Sequence, residues 1–122
     1  MTLRFEQIVI DSLDPRALAI WWKDALDWQI TYESAAEAAV EDTEIEIAPD
    51  ASVHPSLLFV PVPEKKTVKN RLHFDFVPDD QAAEVERLIA LGATRADVGQ
   101  SDVSWVVLAD PEGNEFCVLS AR

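Results

Sequence analysis

His73-Phe74-Asp75-Phe76-Val77-Pro78-Asp79-Asp80 repeats the layout of Gln7-Ile8-Val9-Ile10-Asp11-Ser12-Leu13-Asp14 with a shift of 66 residues. Each stretch alternates its apolar residues as a half-buried strand does and ends on an acidic residue suited to cap a helix. After Asp14, Pro15 suits the first helical position, and Leu18, Trp21, Trp22, Ala25 and Leu26 recur at helical spacing. After Asp80, the apolar positions Ala82, Val85, Leu88 and Ile89 do the same. Leu26-Asp27 then falls on Leu91-Gly92, so both predicted helices end in step. Identity between the halves is poor. The repeat lies in the order of elements rather than in the letters.

Working outward, each half supplies three more strands. In the first half these are 28–32, 43–47 and 57–62. The alternation of Thr43-Glu44-Ile45-Glu46-Ile47 points isoleucines inward and glutamates outward. Pro61 and Pro63 confine the end of the third strand to an edge or a rim. Residues 34–40, rich in Ala and Glu, fit a loop, a helical turn or a ragged strand. In the second half the strands are 94–96, 104–109 and 115–120. Turns at Gly99 and at Asp110-Pro111-Glu112-Gly113-Asn114 separate them. Strands are also predicted over 5–10 and 71–77. The reading is an α+β chain of two βαβββ modules, about 1–63 and 71–122, joined by a polar connector over 64–70 that carries Lys65, Lys66 and Lys69.

A module with one helix covers one sheet face and leaves the other bare. Two modules related by a pseudo-twofold axis would curl their mixed sheets around a cleft. Ile8, Ile10, Phe74 and Phe76 are assigned to helix packing. The opposite set, Gln7, Val9 and Asp11 with Arg71, His73, Asp75 and Val77, is assigned to the cleft.

The chain has 122 residues and a net charge of −13. Nucleic acid is excluded as a partner, because phosphate binding depends on clustered Lys and Arg. No apolar run reaches the length of a membrane span. One cysteine, Cys117, excludes an internal disulfide, and the N-terminus lacks the plan of a signal peptide. A cytoplasmic protein is expected. The acidic excess serves solubility, or it attracts a cationic ligand.

Three stretches carry a family resemblance: Ile8–Pro15 with Trp21-Trp22 and Ala25–Trp28, Arg71–Phe76 with Leu88–Ala93, and above all Trp105-Val106-Val107-Leu108-Ala109-Asp110-Pro111-Glu112-Gly113-Asn114-Glu115-Phe116. In these the chain resembles the vicinal oxygen chelate superfamily, the glyoxalase, bleomycin resistance and dioxygenase group. The resemblance implies one glyoxalase-like domain over 1–122, a cleft that often holds a divalent metal, and a homodimer. Sheet edges that need covering also favour a dimer. The implied ligand positions fall on Gln7, His73 and Cys117, and on the stretch Leu57–Val60, which offers no donor. Two of four positions therefore depart from the metal-binding pattern, and no cofactor is predicted. Zinc, nickel, manganese or iron is the disfavoured alternative.

The candidate ligand-binding residues are Gln7, Phe59, His73, Trp105 and Cys117. His73 serves as a metal ligand, as an acid–base or hydrogen-bonding cleft residue, or as a structural histidine. Asp75, two residues on, shares its face and is the candidate catalytic partner. Gln7 is a polar cleft group or the remnant of a ligand position. Cys117 reads as a small buried hydrophobe more readily than as a nucleophile. Trp105 is the preferred aromatic wall, and Trp21 and Trp22 point about 100° apart on their helix, one on the sheet and one on a flank. The implied function is sequestration of a small organic or cationic molecule. The alternative is isomerase, lyase or dioxygenase chemistry through His73 with Asp75, or through a non-standard metal site.

Overall fold

The computed structural model describes residues 2–122. The chain divides into two compact units, the first running to Lys65 and the second spanning Lys66–Arg122. Each is a four-stranded mixed sheet with one helix. The expected βαβββ order is present twice.

In the first unit, β1 (Gln7–Ser12), α1 (Pro15–Leu26), β2 (Gln29–Glu33), β3 (Ile45–Ala48) and β4 (Ser56–Pro61) form a sheet of order β1-β4-β3-β2. β1 runs parallel to β4; the other pairs are antiparallel. Asp14 caps α1 by accepting from the Ala17 N–H at 3.2 Å. Asp27 ends the helix in the left-handed region at φ 56°. The core is Leu18, Ala19 and Trp22 against Ile45, Ile47, Leu57 and Phe59. Trp21 and Trp22 are both buried, with ring centroids 5.0 Å apart and edge to face. Residues 34–40 form turns and lead into a short 3-10 helix, Val40–Asp42.

β4 is an interior strand, hydrogen-bonded on both sides, and Pro61 is its last residue. The missing N–H therefore falls where the ladder ends. Glu46 also departs from the reading of outward glutamates. It is half-buried because Thr31 Oγ1 and Ser56 Oγ both donate to its carboxylate, at 2.6 and 2.7 Å. Those two bonds, with a smaller attraction from His54, hold its pKa below the ordinary glutamate value against the effect of burial.

In the second unit, β5 (Phe74–Phe76), α2 (Gln81–Leu91), β6 (Thr94–Arg95), β7 (Val106–Ala109) and β8 (Glu115–Val118) form a sheet of order β5-β8-β7-β6. Asp80 caps α2 through the Ala83 N–H, and Gly92 ends it at φ 120°. α2 buries Val85 and Leu88, whereas Ala82 and Ile89 stay exposed, a narrower apolar face than the spacing predicts. Phe76 packs edge to face against both Phe74 and Phe116.

β5 is shorter than the predicted strand over 71–77. The Asn70 N–H, which would lead into the ladder, donates instead to the Glu115 carboxylate at 3.1 Å. Residues 71–73 consequently approach the sheet through bends.

The β7–β8 hairpin turns on Asp110, which is buried. Its carboxylate accepts from the Glu112 and Asn114 N–H groups and from Asn114 Nδ2. Gly113 takes φ 89°, where any other side chain is strained. This turn sets the register that pairs Ala109 with Glu115 and Val107 with Cys117.

Candidate functional site

The site is a face of the second unit's sheet. β5 pairs in parallel with β8, so Asp75 stands beside Cys117. Alternation then puts Glu115, Cys117 and Val107 on one face and Phe74, Phe76 and Phe116 on the other. The first face lines an open cavity of about 430 Å³. Trp105, just before β7, and the loop residues Val98 and Gln100 form further parts of its wall, with Lys69 and Arg122 also lining it.

Within the cavity His73 Nε2 lies 3.1 Å from Asp75 Oδ1. Both side chains are about half exposed. The Cys117 thiol is hydrogen-bonded to Asp75 from the buried side. Burial, then the charge of Asp75 and this bond, push the thiol pKa up to about 11, against a smaller lowering by Lys69. Cys117 is therefore a protonated thiol at neutral pH and a poor nucleophile.

Glu115 behaves differently. Burial raises its pKa, but the ammonium of Lys66 at 2.8 Å and the Asn70 N–H outweigh burial and hold it below the ordinary value. Glu115 is thus an ionised anchor for the stretch 66–70. The connector predicted to be a plain linker is fastened to β8 at both Lys66 and Asn70.

One donor atom each from His73, Asp75 and Cys117 lies within 4.8 Å of the others. The set tests whether the family's divalent metal suits this chain. An imidazole, a carboxylate and a thiol that close together fit a thiophilic ion such as zinc. They do not offer the oxygen-rich shell that magnesium or manganese prefers. The donors come from the second unit alone.

Four of the residues singled out by sequence thus come together: His73, Asp75, Trp105 and Cys117. Two belong to the first unit. Gln7 opens β1 and is half-buried. Phe59 is fully buried beside Ile45, its partner across the ladder, and Ile47. It is core, a correction to its expected place on a cleft wall, because its register puts it on the sheet face that α1 covers. The sequence reading missed Lys69, Gln100 and Arg122 as lining residues. Lys69 had a signal, in that it stands in a basic stretch within an acidic chain. Gln100 and Arg122 stand outside any periodic element and gave none.

The fold and this cavity define a glyoxalase-type paired-module protein. Residues 7–119 match the family described as Glyoxalase-like domain, and the chain belongs to that family. Comparison with curated protein sequences yields no match. Among solved structures, the chain is similar to a fosfomycin resistance protein from Mesorhizobium loti, with TM-score 0.71 and 16% identity over 98% of this chain and 92% of that one. It is also similar to the trypanothione-dependent glyoxalase I of Leishmania major, with TM-score 0.68 and 13% identity over 98% and 87%. A third is an antibiotic binding protein from Streptomyces sp. CB03234, with TM-score 0.63 and 14% identity over 100% and 99%. At these identities the likeness establishes the fold. Among the described residues no helix is long and apolar enough to cross a membrane.

Proposed function

We propose that this protein binds a small organic molecule in the second unit's cavity and holds it without turnover. The observation that carries this reading is one volume of about 430 Å³ that joins an aromatic wall, Trp105, to a polar floor of His73, Asp75 and Cys117. That size and mixture suit a small organic ligand. The protonated thiol of Cys117 speaks against nucleophilic chemistry at the floor. An antibiotic binding protein on the same fold supports binding as a use of it.

A fragment screen by saturation-transfer NMR, followed by calorimetry, tests the reading. Ligands that compete for one site, weaken at least about tenfold on Trp105→Ala and are recovered chemically unchanged support it. Steady conversion of a bound compound overturns it.

A second reading has its own observation, the three donor atoms within 4.8 Å. Here His73, Asp75 and Cys117 would hold a zinc-like ion, which would supply Lewis-acid chemistry for a lyase or isomerase. Cobalt(II) titration reads this without any substrate. A thiolate-to-metal absorption band lost on Cys117→Ser supports it, and the absence of such a band rejects it.

A homodimer belongs to the same proposal. β1 and β5 are edge strands, and Phe5, Val9, Leu72 and Val77 beside them expose apolar side chains. Light scattering coupled to gel filtration checks it, and a monomer at micromolar concentration rejects it.

A further inference from the structure

We propose that the ligand of this cavity is an organic anion with a flat apolar body, such as an aromatic carboxylate. This rests on the binding reading above and names the ligand class.

The whole-chain charge of −13 points to a cation, but the charges at the cavity point the other way. Both carboxylates that line it are engaged. Asp75 faces His73 at 3.1 Å and is bonded by the Cys117 thiol. Glu115 receives the Lys66 ammonium at 2.8 Å and the Asn70 N–H at 3.1 Å. Two cations lining the same cavity have no such partner. The hydrogen bond of Lys69 goes to the Asn70 carbonyl, at 3.5 Å. Among the described residues no Asp or Glu side chain forms an ion pair with Lys69 or with Arg122, as one does with Arg16, Lys23, Lys66 and Arg87. The charged side chains of the lining left without an ion-pair partner are therefore the two cations, Lys69 and Arg122.

Distance decides between the local and the global charge. At physiological salt, charges more than about 8 Å apart are largely screened. A carboxylate seated at the cavity mouth would meet Lys69 and Arg122 in direct charge-assisted hydrogen bonds, which act at contact distance. Trp105 then offers a ring face for the apolar body. Gln100, a neutral donor and acceptor in the lining, carries no charge that opposes an anion.

The test uses three probes that share one ring system: 2-naphthoate, 2-naphthamide and 2-naphthylmethylammonium. Each is titrated calorimetrically into the full chain at physiological salt. The proposal expects naphthoate to bind about fivefold to tenfold more tightly than the amide, with the ammonium weakest. It expects Lys69→Met and Arg122→Met, singly and together, to reduce the naphthoate-to-amide ratio toward one. Both side chains are exposed, so neither change threatens the fold. An ammonium that binds as tightly as naphthoate overturns the proposal and leaves the binding reading standing. So does a preference for naphthoate that survives the double variant. If none of the three binds, the proposal of an aromatic anion is overturned, and the fragment screen decides the binding reading separately.

Discussion

His73 Nε2 and Asp75 Oδ1 stand 3.1 Å apart although their residues are two positions apart in the chain. Alternate residues on a strand are about 6–7 Å apart at their Cα atoms, so the two side chains close that gap by leaning toward each other. β8 supplies the third member, because the parallel register sets Cys117 beside Asp75. A carboxylate is thus shared between an imidazole and a thiol, and after burial it is the main influence on the reactivity of the cysteine.

The thiol is expected to be inert. With Cys117 buried and its pKa pushed up to about 11, little thiolate exists at pH 8. Its reaction with a chromogenic disulfide should run at least about tenfold slower than that of a free thiol with an ordinary pKa. Asp75→Asn removes the negative charge that helps raise the pKa, so it should bring the value down and speed the reaction. Labelling rates between pH 7 and 10 read both effects.

Glu46 should give the fold an acid-sensitive component. Its folded pKa is lowered chiefly by the hydrogen bonds from Thr31 and Ser56. A depressed carboxylate contributes stability that is full above the unfolded pKa, about 4.3, and is lost as pH falls through the folded value. Chemical denaturation at pH 7 and at steps below pH 4.5 should show stability falling over that acid range. Thr31→Val and Ser56→Ala should each flatten the fall, and Glu46→Gln should flatten it most.

The anchor at Glu115 should control order in the stretch 66–70. Lys66 and Glu115 are both mostly buried, and the Asn70 N–H completes the site. Removing one member of a buried, hydrogen-bonded pair leaves the other unsatisfied, at a cost of about 1–3 kcal/mol. Glu115→Ala is expected to lose that much stability in urea unfolding. Amide exchange at Asn70 should accelerate, while exchange in the first unit stays unchanged.

Asp110 should be the most sensitive turn residue. It is buried and accepts from two backbone N–H groups and one side-chain amide. Asp110→Ala is expected to destabilise by about 2–4 kcal/mol. Gly113→Ala meets open space but must adopt φ 89°, so about 1 kcal/mol is expected there. The difference between the two, measured as shifts of the urea midpoint at constant slope, separates lost hydrogen bonds from backbone strain.

Local signals made the element order legible. Asp14 and Asp80 cap their helices as their positions announce, because a cap satisfies N–H groups two or three residues away and is therefore written in adjacent sequence. Alternation likewise put His73 and Asp75 on one face and Phe74 and Phe76 on the other, where the structure adds Phe116. Strand ends were less legible. β5 begins at Phe74 rather than Arg71 because a side chain 45 residues away, Glu115, takes the Asn70 N–H. Nothing near Asn70 in the sequence carries that information.

Sequence by itself determined the order of elements in the two βαβββ modules, the turn at Asp110–Asn114 and the shared face of His73 and Asp75. All three follow from periodicity and short-range hydrogen bonding, which depend on neighbours in the chain, whereas Cys117 joins that pair only through the β5–β8 register. Tertiary structure alone decided that Phe59 is core, that Glu115 is an anchor, and that Lys69 and Arg122 line the cavity. Those facts depend on which strands pair, and in what register. Burial and charge pairing are properties of what surrounds a side chain in space, and that is set only once distant segments have met.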